Sequence, residues 1–283
     1  MKNHYCPTGS NIISLAVFHR NTSRLFEYAI LIPAMKMILN IGSHGDEKIG
    51  FAVADEIKKI PLQNGEIIVN VGNERACKEN KRFIDHDLNR VFPGNSKGSY
   101  EERLACKLLP FVKSADIVID IHSTTSDLKD ALIVTHLRKK TREYIDVITP
   151  KYLLCMNVTK QNALISGAKV GIAFEYGKDD DPVAVRKIVA GIKRLLIHLG
   201  MTKGKISKIK QKTLYFDVYK KVPKLQNATL LKSIRNYKLV RKGQTFATVG
   251  TEKIRAKENF YPILFGELKY KDFFGFAARK TVN

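Results

Sequence analysis

No stretch of these 283 residues stays apolar long enough to cross a bilayer; the best candidate, residues 28–41, is broken by Pro33 and Lys36. The N-terminal part lacks the basic start, apolar centre and small-residue cleavage site of a secretory signal, so a cytoplasmic protein without membrane partners is expected. Cysteine is sparse: Cys6, Cys77, Cys106 and Cys155 stand far apart with no Cys-x-x-Cys pair. That spacing argues against a disulfide framework or a thiolate zinc site and predicts reduced, mostly buried thiols. There is no internal repeat, no low-complexity tract, and no helix-turn-helix, zinc-finger or aromatic-plus-basic signature. Acidic residues are the other shortage, 27 Asp and Glu against 49 Lys and Arg, for a net charge of +22. From Lys205 onward the balance is 19 to 5, so +14 of that charge lies in the last part of the chain. A Lys-rich solvated surface accounts for this more simply than a nucleic-acid partner, which stays open, and a field of that sign steers anionic substrates.

What is present is an ordinary globular composition, 44% hydrophobic, enough for one large domain or two smaller ones. Met37-Ile38-Leu39-Asn40-Ile41-Gly42 reads as an apolar strand that runs out into His44-Gly45-Asp46-Glu47. An imidazole and a carboxylate three residues apart can reach one ion when the turn curls, and the end of a buried strand presents them rigidly. Alone, the pair reads equally well as an N-capping turn, with Asp46 and Glu47 opening the next helix. A second β-branched strand, Ala115-Asp116-Ile117-Val118-Ile119-Asp120-Ile121, ends on His122 and Ser123-Thr124-Thr125. His44, Glu47 and His122 thus fall at the carboxyl ends of strands, where open α/β sheets bind ligands. Two His with one carboxylate is the donor set of a catalytic zinc. Of the seven histidines, His4 and His19 lie in an unpatterned leader, and His136 and His198 suit strand-end and helical surfaces. His86 suits a supporting or structural duty.

Residues 1–34 show no periodicity and are expected to be a disordered leader or an upstream start, with the functional chain beginning near Met35. A helix is predicted over 47–59, ended by Pro61, then a strand over 66–71. The long segment 73–94 has no obvious secondary structure; its Arg and Asn content suits carboxylate recognition, with Phe83, Ile84, Leu88 and Phe92 as anchors. Ser99-x-x-Glu102 is a capping box opening a helix through Phe111. A strand over 131–135, a helix over 139–148 and a strand over 153–158 follow. In Val170-Gly171-Ile172-Ala173-Phe174-Glu175-Tyr176-Gly177 a single acid ends an apolar strand. A carboxylate buried there must pair or do chemistry, which makes Glu175 the candidate base. Asp181-Pro182 opens the last long helix and Gly200 stops it. Beyond a linker over 203–212 the pattern changes to short β runs at 214–219, 238–240, 244–249 and 260–265. Alternating βα units followed by short strands predict an α/β fold, a mixed sheet flanked by helices over 35–203, with a smaller β-rich C-terminal domain over 204–283.

Four pieces in order resemble the succinylglutamate desuccinylase/aspartoacylase family, a branch of the zinc carboxypeptidase superfamily. They are the His44-Gly45-Asp46-Glu47 turn, the run from Arg82 through Ile84-Asp85 to Asp87-Leu88-Asn89-Arg90, Asp120-Ile121-His122-Ser123-Thr124-Thr125-Ser126, and Glu175 in its Gly-Ile strand. The likeness runs from about Met37 to the end of the chain, more loosely in the β-rich tail. It implies a zinc-carboxypeptidase-like sheet and one Zn²⁺ per chain held by His44, Glu47 and His122. It also implies that Glu175 takes a proton from the attacking water and delivers it to the leaving amine, and that Arg82 polarises the scissile carbonyl. Asn89 and Arg90 would clamp the substrate α-carboxylate, Asp87 would brace the arginines, and Arg75 would be structural. Tyr270, in Leu268-Lys269-Tyr270-Lys271, would bind substrate from a β domain roofing the pocket. One position departs: the arginine with which aspartoacylases grip a second carboxylate is here Ile165, with Lys160 and Lys169 nearby. Either the leaving amino acid differs from aspartate or a lysine substitutes less directionally.

The resulting expectation is a zinc-dependent amidohydrolase that deacylates a small anionic N-acyl amino acid or related acylated amine. The alternatives are a metallocarboxypeptidase acting on peptide C-termini and a basic nucleic-acid-binding protein on a hydrolase scaffold. A homo-oligomer stays open.

Overall fold

A computed structural model describes residues 13–15, 34–159, 161–207 and 209–281. The elements run β1 (Ile13–Leu15), β2 (Lys36–Ile41), α1 (Ile49–Ile57), β3 (Glu66–Val71), α2 (Glu74–Lys78), α3 (Tyr100–Ser114), β4 (Ile117–His122) and β5 (Ala131–Val134). They continue α4 (Lys139–Ile148), β6 (Tyr152–Met156), β7 (Gly171–Glu175), α5 (Pro182–His198), β8 (Leu214–Pro223), β9 (Thr229–Leu230), β10 (Thr245–Val249), β11 (Glu252–Arg255), β12 (Tyr261–Ile263) and β13 (Phe273–Thr281). Ten strands form one mixed sheet in the order β1-β3-β2-β4-β7-β5-β6-β8-β13-β12, and β11-β10-β9 form a separate C-terminal sheet. In the stretch expected to be a leader, residues 13–15 add an unforeseen antiparallel edge strand to β3. His4, His19 and Cys6 lie outside the described residues.

The central strands β3, β2, β4 and β7 are parallel, which is why they read as near-continuous apolar runs with no solvent face. Successive side chains still alternate between two covered faces. Met37, Leu39, Ile41, Ile117, Ile119, Ile121, Ile172 and Phe174 pack with α1, α4 and α5. Ile38, Val118 and Ala173 face the other way, against α3 and the segments around Leu88, Phe92, Leu164 and Ile165. On that second face the apolar pattern breaks toward the carboxyl edge, with Asn40, Asp120, His122 and Glu175 all buried. Those breaks form the site.

The capping box at Ser99 forms as expected, and Asp181 caps α5 through Val183 and Ala184 N–H groups. Segment 73–94 is more regular than the sequence suggests: Asn73 caps the short α2, and Leu88–Arg90 makes one 3₁₀ turn behind the cap of Asp87. Leu88 and Phe92 are its buried anchors, while Phe83 and Ile84 are only half-buried. After residue 203 the chain does turn to β structure. However, β8 pairs in parallel with β6, so the large sheet runs on into the C-terminal part. Three strands there, β9, β11 and β13, had no counterpart among the expected β runs, and the run expected at 238–240 is present only as a bridge from Val240 to Phe260.

Candidate functional site

Register sets the frame. Asn40 of β2 pairs with Asp120 of β4, and His122 of β4 pairs with Glu175 of β7, so these three parallel strands end at one edge. In a parallel ladder, paired residues point to the same face, which puts His122 beside Glu175. The turn after β2 carries His44 and Glu47 to that edge. Gly45 makes it possible: a Cβ there would lie 2.0 Å from the Ala76 carbonyl carbon of α2, so only glycine fits, and its N–H donates to Arg82 O at 3.3 Å.

His44, Glu47 and His122 are buried and offer ligand atoms within 4.8 Å of one another, so these three could hold a metal ion. Both Nδ1 atoms turn toward the carboxylate, His44 at 2.8 Å from Glu47 Oε1 and His122 at 2.9 Å from Oε2. Both Nε2 atoms are held from behind, His44 by Asp87 at 3.0 Å and His122 by Asp120 at 2.8 Å. A carboxylate on the outer ring nitrogen fixes the tautomer and makes the inner nitrogen the better donor to a metal. Burial opposes the charge of Glu47, but the two imidazoles outweigh it and hold its pKa well below the usual carboxylate range.

Around this cluster one cavity is lined by His44, Glu47, His122, Arg82, Asn89, Arg90, Glu175 and Tyr270, the eight residues expected to hold the metal, act in the reaction or bind substrate. Arg82 donates to Glu47 Oε1 at 3.1 Å and to Asp87 Oδ2 at 3.2 Å, so burial fails to lower its pKa and the two carboxylates raise it. Asp87 therefore braces Arg82 and His44 together. Glu175 is 7% exposed. Burial pushes its pKa up to about 8; His122 and Arg82 pull against that, while Glu47 and Glu267 add to it. Tyr270 stacks on Phe273 at 4.1 Å, and burial raises its phenol pKa. Asn89 differs from a free substrate clamp: its amide nitrogen lies 3.2 Å from Asp120 Oδ2 and its oxygen accepts from Leu164 N–H at 2.9 Å. Arg90 spends one bond on Asn89 O.

The remaining candidates lie elsewhere. The side chain of His86 is exposed, while its backbone N–H donates to Glu101. His198 pairs with Glu143 at 2.9 Å and Arg75 with Glu79 at 3.0 Å, both on the surface. Ile165 lines the cavity, but Lys169 is exposed and paired with Asp116 at 3.1 Å, so it cannot stand in for a gripping arginine. Lys160 lies outside the described residues.

Four supporting residues escaped the sequence reading. Asp120 is one, and its place two residues before His122 on the same strand face was the signal. Glu101 is fully buried, and its carboxylate accepts from Asn73 Nδ2 and from the N–H groups of Ile84, Asp85 and His86, which pins the arginine segment. Glu267, in the loop between β12 and β13, accepts from Thr124 Oγ1, Thr125 N and Thr125 Oγ1 at 2.6–2.8 Å. Beside it, Lys269 Nζ lies 3.2 Å from Asp46 and 3.5 Å from Glu47. This loop roofs the turn that carries His44 and Glu47.

Residues 33–193, more than half of the chain, match the model of the succinylglutamate desuccinylase/aspartoacylase catalytic domain. The chain belongs to that family. A probable aspartoacylase of Acaryochloris marina is 33% identical over 155 residues, covering 48% of this chain and 52% of that protein. An N-alpha-acetyl-L-2,4-diaminobutyric acid deacetylase of Halomonas elongata is 27% identical over 203 residues, covering 64% of this chain and 59% of its own length. The chain thus spans a little over half the length of these curated relatives. A crystal structure of succinylglutamatedesuccinylase/aspartoacylase from Rhodobacter sphaeroides shares the fold, with a TM-score of 0.68 at 19% identity over 88% of this chain and 87% of that one.

Proposed function

We propose that this chain is a zinc-dependent amidohydrolase that removes the acyl group from a small N-acyl amino acid. The observation that carries this reading is the pairing of a metal-competent His44–Glu47–His122 cluster with a buried, high-pKa Glu175 in the same cavity. His44, Glu47 and His122, with each imidazole braced by its own carboxylate, would hold zinc. Bound there, it would supply Lewis acidity to the scissile carbonyl and the attacking water. The relatives named aspartoacylase and diaminobutyric acid deacetylase support the same reaction type.

The chain's own residues take the other roles. Glu175, its pKa raised by burial, accepts a proton from the attacking water and returns it to the leaving nitrogen. Arg82 keeps its positive charge fixed beside the reacting carbonyl and stabilises the developing oxyanion. Arg90 has donors left for the substrate α-carboxylate, and Asn89 positions that segment against Asp120. The roof carried by Glu267 and Lys269 favours small substrates over a peptide C-terminus.

The test is a release assay for free amine with zinc-loaded protein and a panel of N-acyl amino acids, beside Glu175→Gln and Arg82→Ala. Glu175→Gln should lower kcat by about 10²–10⁴-fold and Arg82→Ala by about 10²–10³-fold, with zinc stoichiometry unchanged in both. Wild-type rates in either variant would remove that residue from the mechanism, and tripeptides turned over faster than N-acyl amino acids would favour the carboxypeptidase reading.

A further inference from the structure

Strand order separates the cavity into two ends. The metal-competent cluster sits at β2 and β4, and Glu175 on the neighbouring β7. Farther along the sheet the wall is made by Ile133 on β5, Met156 on β6 and Phe276 on β13, closed by Ile165, Ala173 and Leu264. All six are apolar. Among the described residues lining the cavity, the only cations are Arg82 and Arg90, and Arg82 is engaged by Glu47 and Asp87. That leaves one guanidinium with free donors, which is enough for one carboxylate. Glu267 also lines the cavity, at the end nearer His122, where Thr124 and Thr125 fix its carboxylate.

We infer that the substrate bears a single carboxylate and an apolar body that fills the Ile133–Met156–Ile165–Phe276 wall, so that dicarboxylic N-acyl amino acids are rejected. This rests on the deacylase reading and narrows its substrate class. A second carboxylate on that wall would lose its water and find no cation among the described residues that form it. An apolar group placed there exchanges water for matched apolar contacts. The body is either the amino-acid side chain or the acyl chain; both present the same chemistry to the wall.

The experiment measures kcat/KM of zinc-loaded full-length protein on N-acetyl-L-leucine, N-acetyl-L-phenylalanine, N-hexanoylglycine, N-acetyl-L-aspartate and N-acetyl-L-glutamate. Calorimetric binding of the same compounds to zinc-loaded Glu175→Gln is measured in parallel. The apolar compounds should exceed the dicarboxylates by on the order of 100-fold. Comparing the leucine and hexanoylglycine arms tells side chain from acyl chain. Ile165→Arg should narrow the ratio at least tenfold by admitting N-acetyl-L-aspartate, and the milder Ile165→Gln should narrow it less. N-acetyl-L-aspartate handled as well as the apolar compounds overturns the inference while leaving the deacylase intact. Selective binding of apolar compounds without turnover of any compound by wild type overturns the deacylase and keeps the apolar wall. Neither binding nor turnover of any compound overturns both.

Discussion

Each imidazole of the candidate metal cluster commits its two ring nitrogens to different duties, the inner one toward Glu47 and the outer one to Asp87 or Asp120. Removing an outer carboxylate leaves the ligand present but free to rotate and to change tautomer. Asp120→Ala should therefore weaken zinc binding by about 10–100-fold, read by competition with a chromogenic chelator, while the far-ultraviolet circular dichroism stays that of the wild type. Equal zinc affinity would show that Asp120 serves the fold only. At this scale the sequence was legible where chemistry sits in a short pattern. His44, Glu47, His122 and Glu175 are polar residues at the ends of apolar strands, and one cavity brings them together. Glu101 was illegible because its partners are backbone N–H groups some fifteen residues away in the chain, which leave no mark in residue identity. The partners of Asn89 were illegible for the same reason: its side-chain oxygen accepts from the Leu164 N–H.

The loop between β12 and β13 joins the β-rich part to the catalytic edge through Glu267 and Lys269. Burial raises the pKa of Glu267, but the hydrogen bonds from Thr124 and Thr125 outweigh that and hold it below its ordinary value of 4.5. A carboxyl group depressed on folding contributes stability that is present above its unfolded pKa and lost as pH falls through the folded value. The roof should therefore be tight at neutral pH and loosen below about pH 4.5. Protection of the Thr125 amide, its exchange corrected for the intrinsic rate at each pH, should fall over that range in the wild type and be low and flat with pH in Glu267→Gln. Wild-type protection that ignores acid would break the link. The strand that follows this loop, β13, was not legible. Phe273-Phe274-Gly275-Phe276-Ala277-Ala278 is buried on both sides and does not alternate, and its pairing with β8 slips twice, between Phe273 and Gly275 and between Ala277 and Ala278.

For the molecule as a whole, the metal and the fold should be linked, because the three candidate ligands come from two separate strand ends and meet only in the native state. Zinc at about 100 times its dissociation constant should stabilise the protein by roughly 2.7 kcal/mol, a rise of several degrees in Tm. Scanning calorimetry with zinc and with a chelator checks this, and His44→Ala should erase the difference. Local pattern disclosed the αβ alternation, the caps at Ser99 and Asp181, and the change to β structure after residue 203. It did not disclose strand order, since nothing in Leu214 onward announces that β8 will join β6 in parallel.

That junction has a mechanical consequence. Because one backbone ladder carries on from the strands beneath the candidate metal cluster through β6, β8 and β13 to the strand before the roof, the two halves share a single plate instead of facing each other across a hinge. The Glu267–Lys269 loop is held to that plate's edge by side chains and not by a ladder, so it is the part that can yield while every strand pair stays intact.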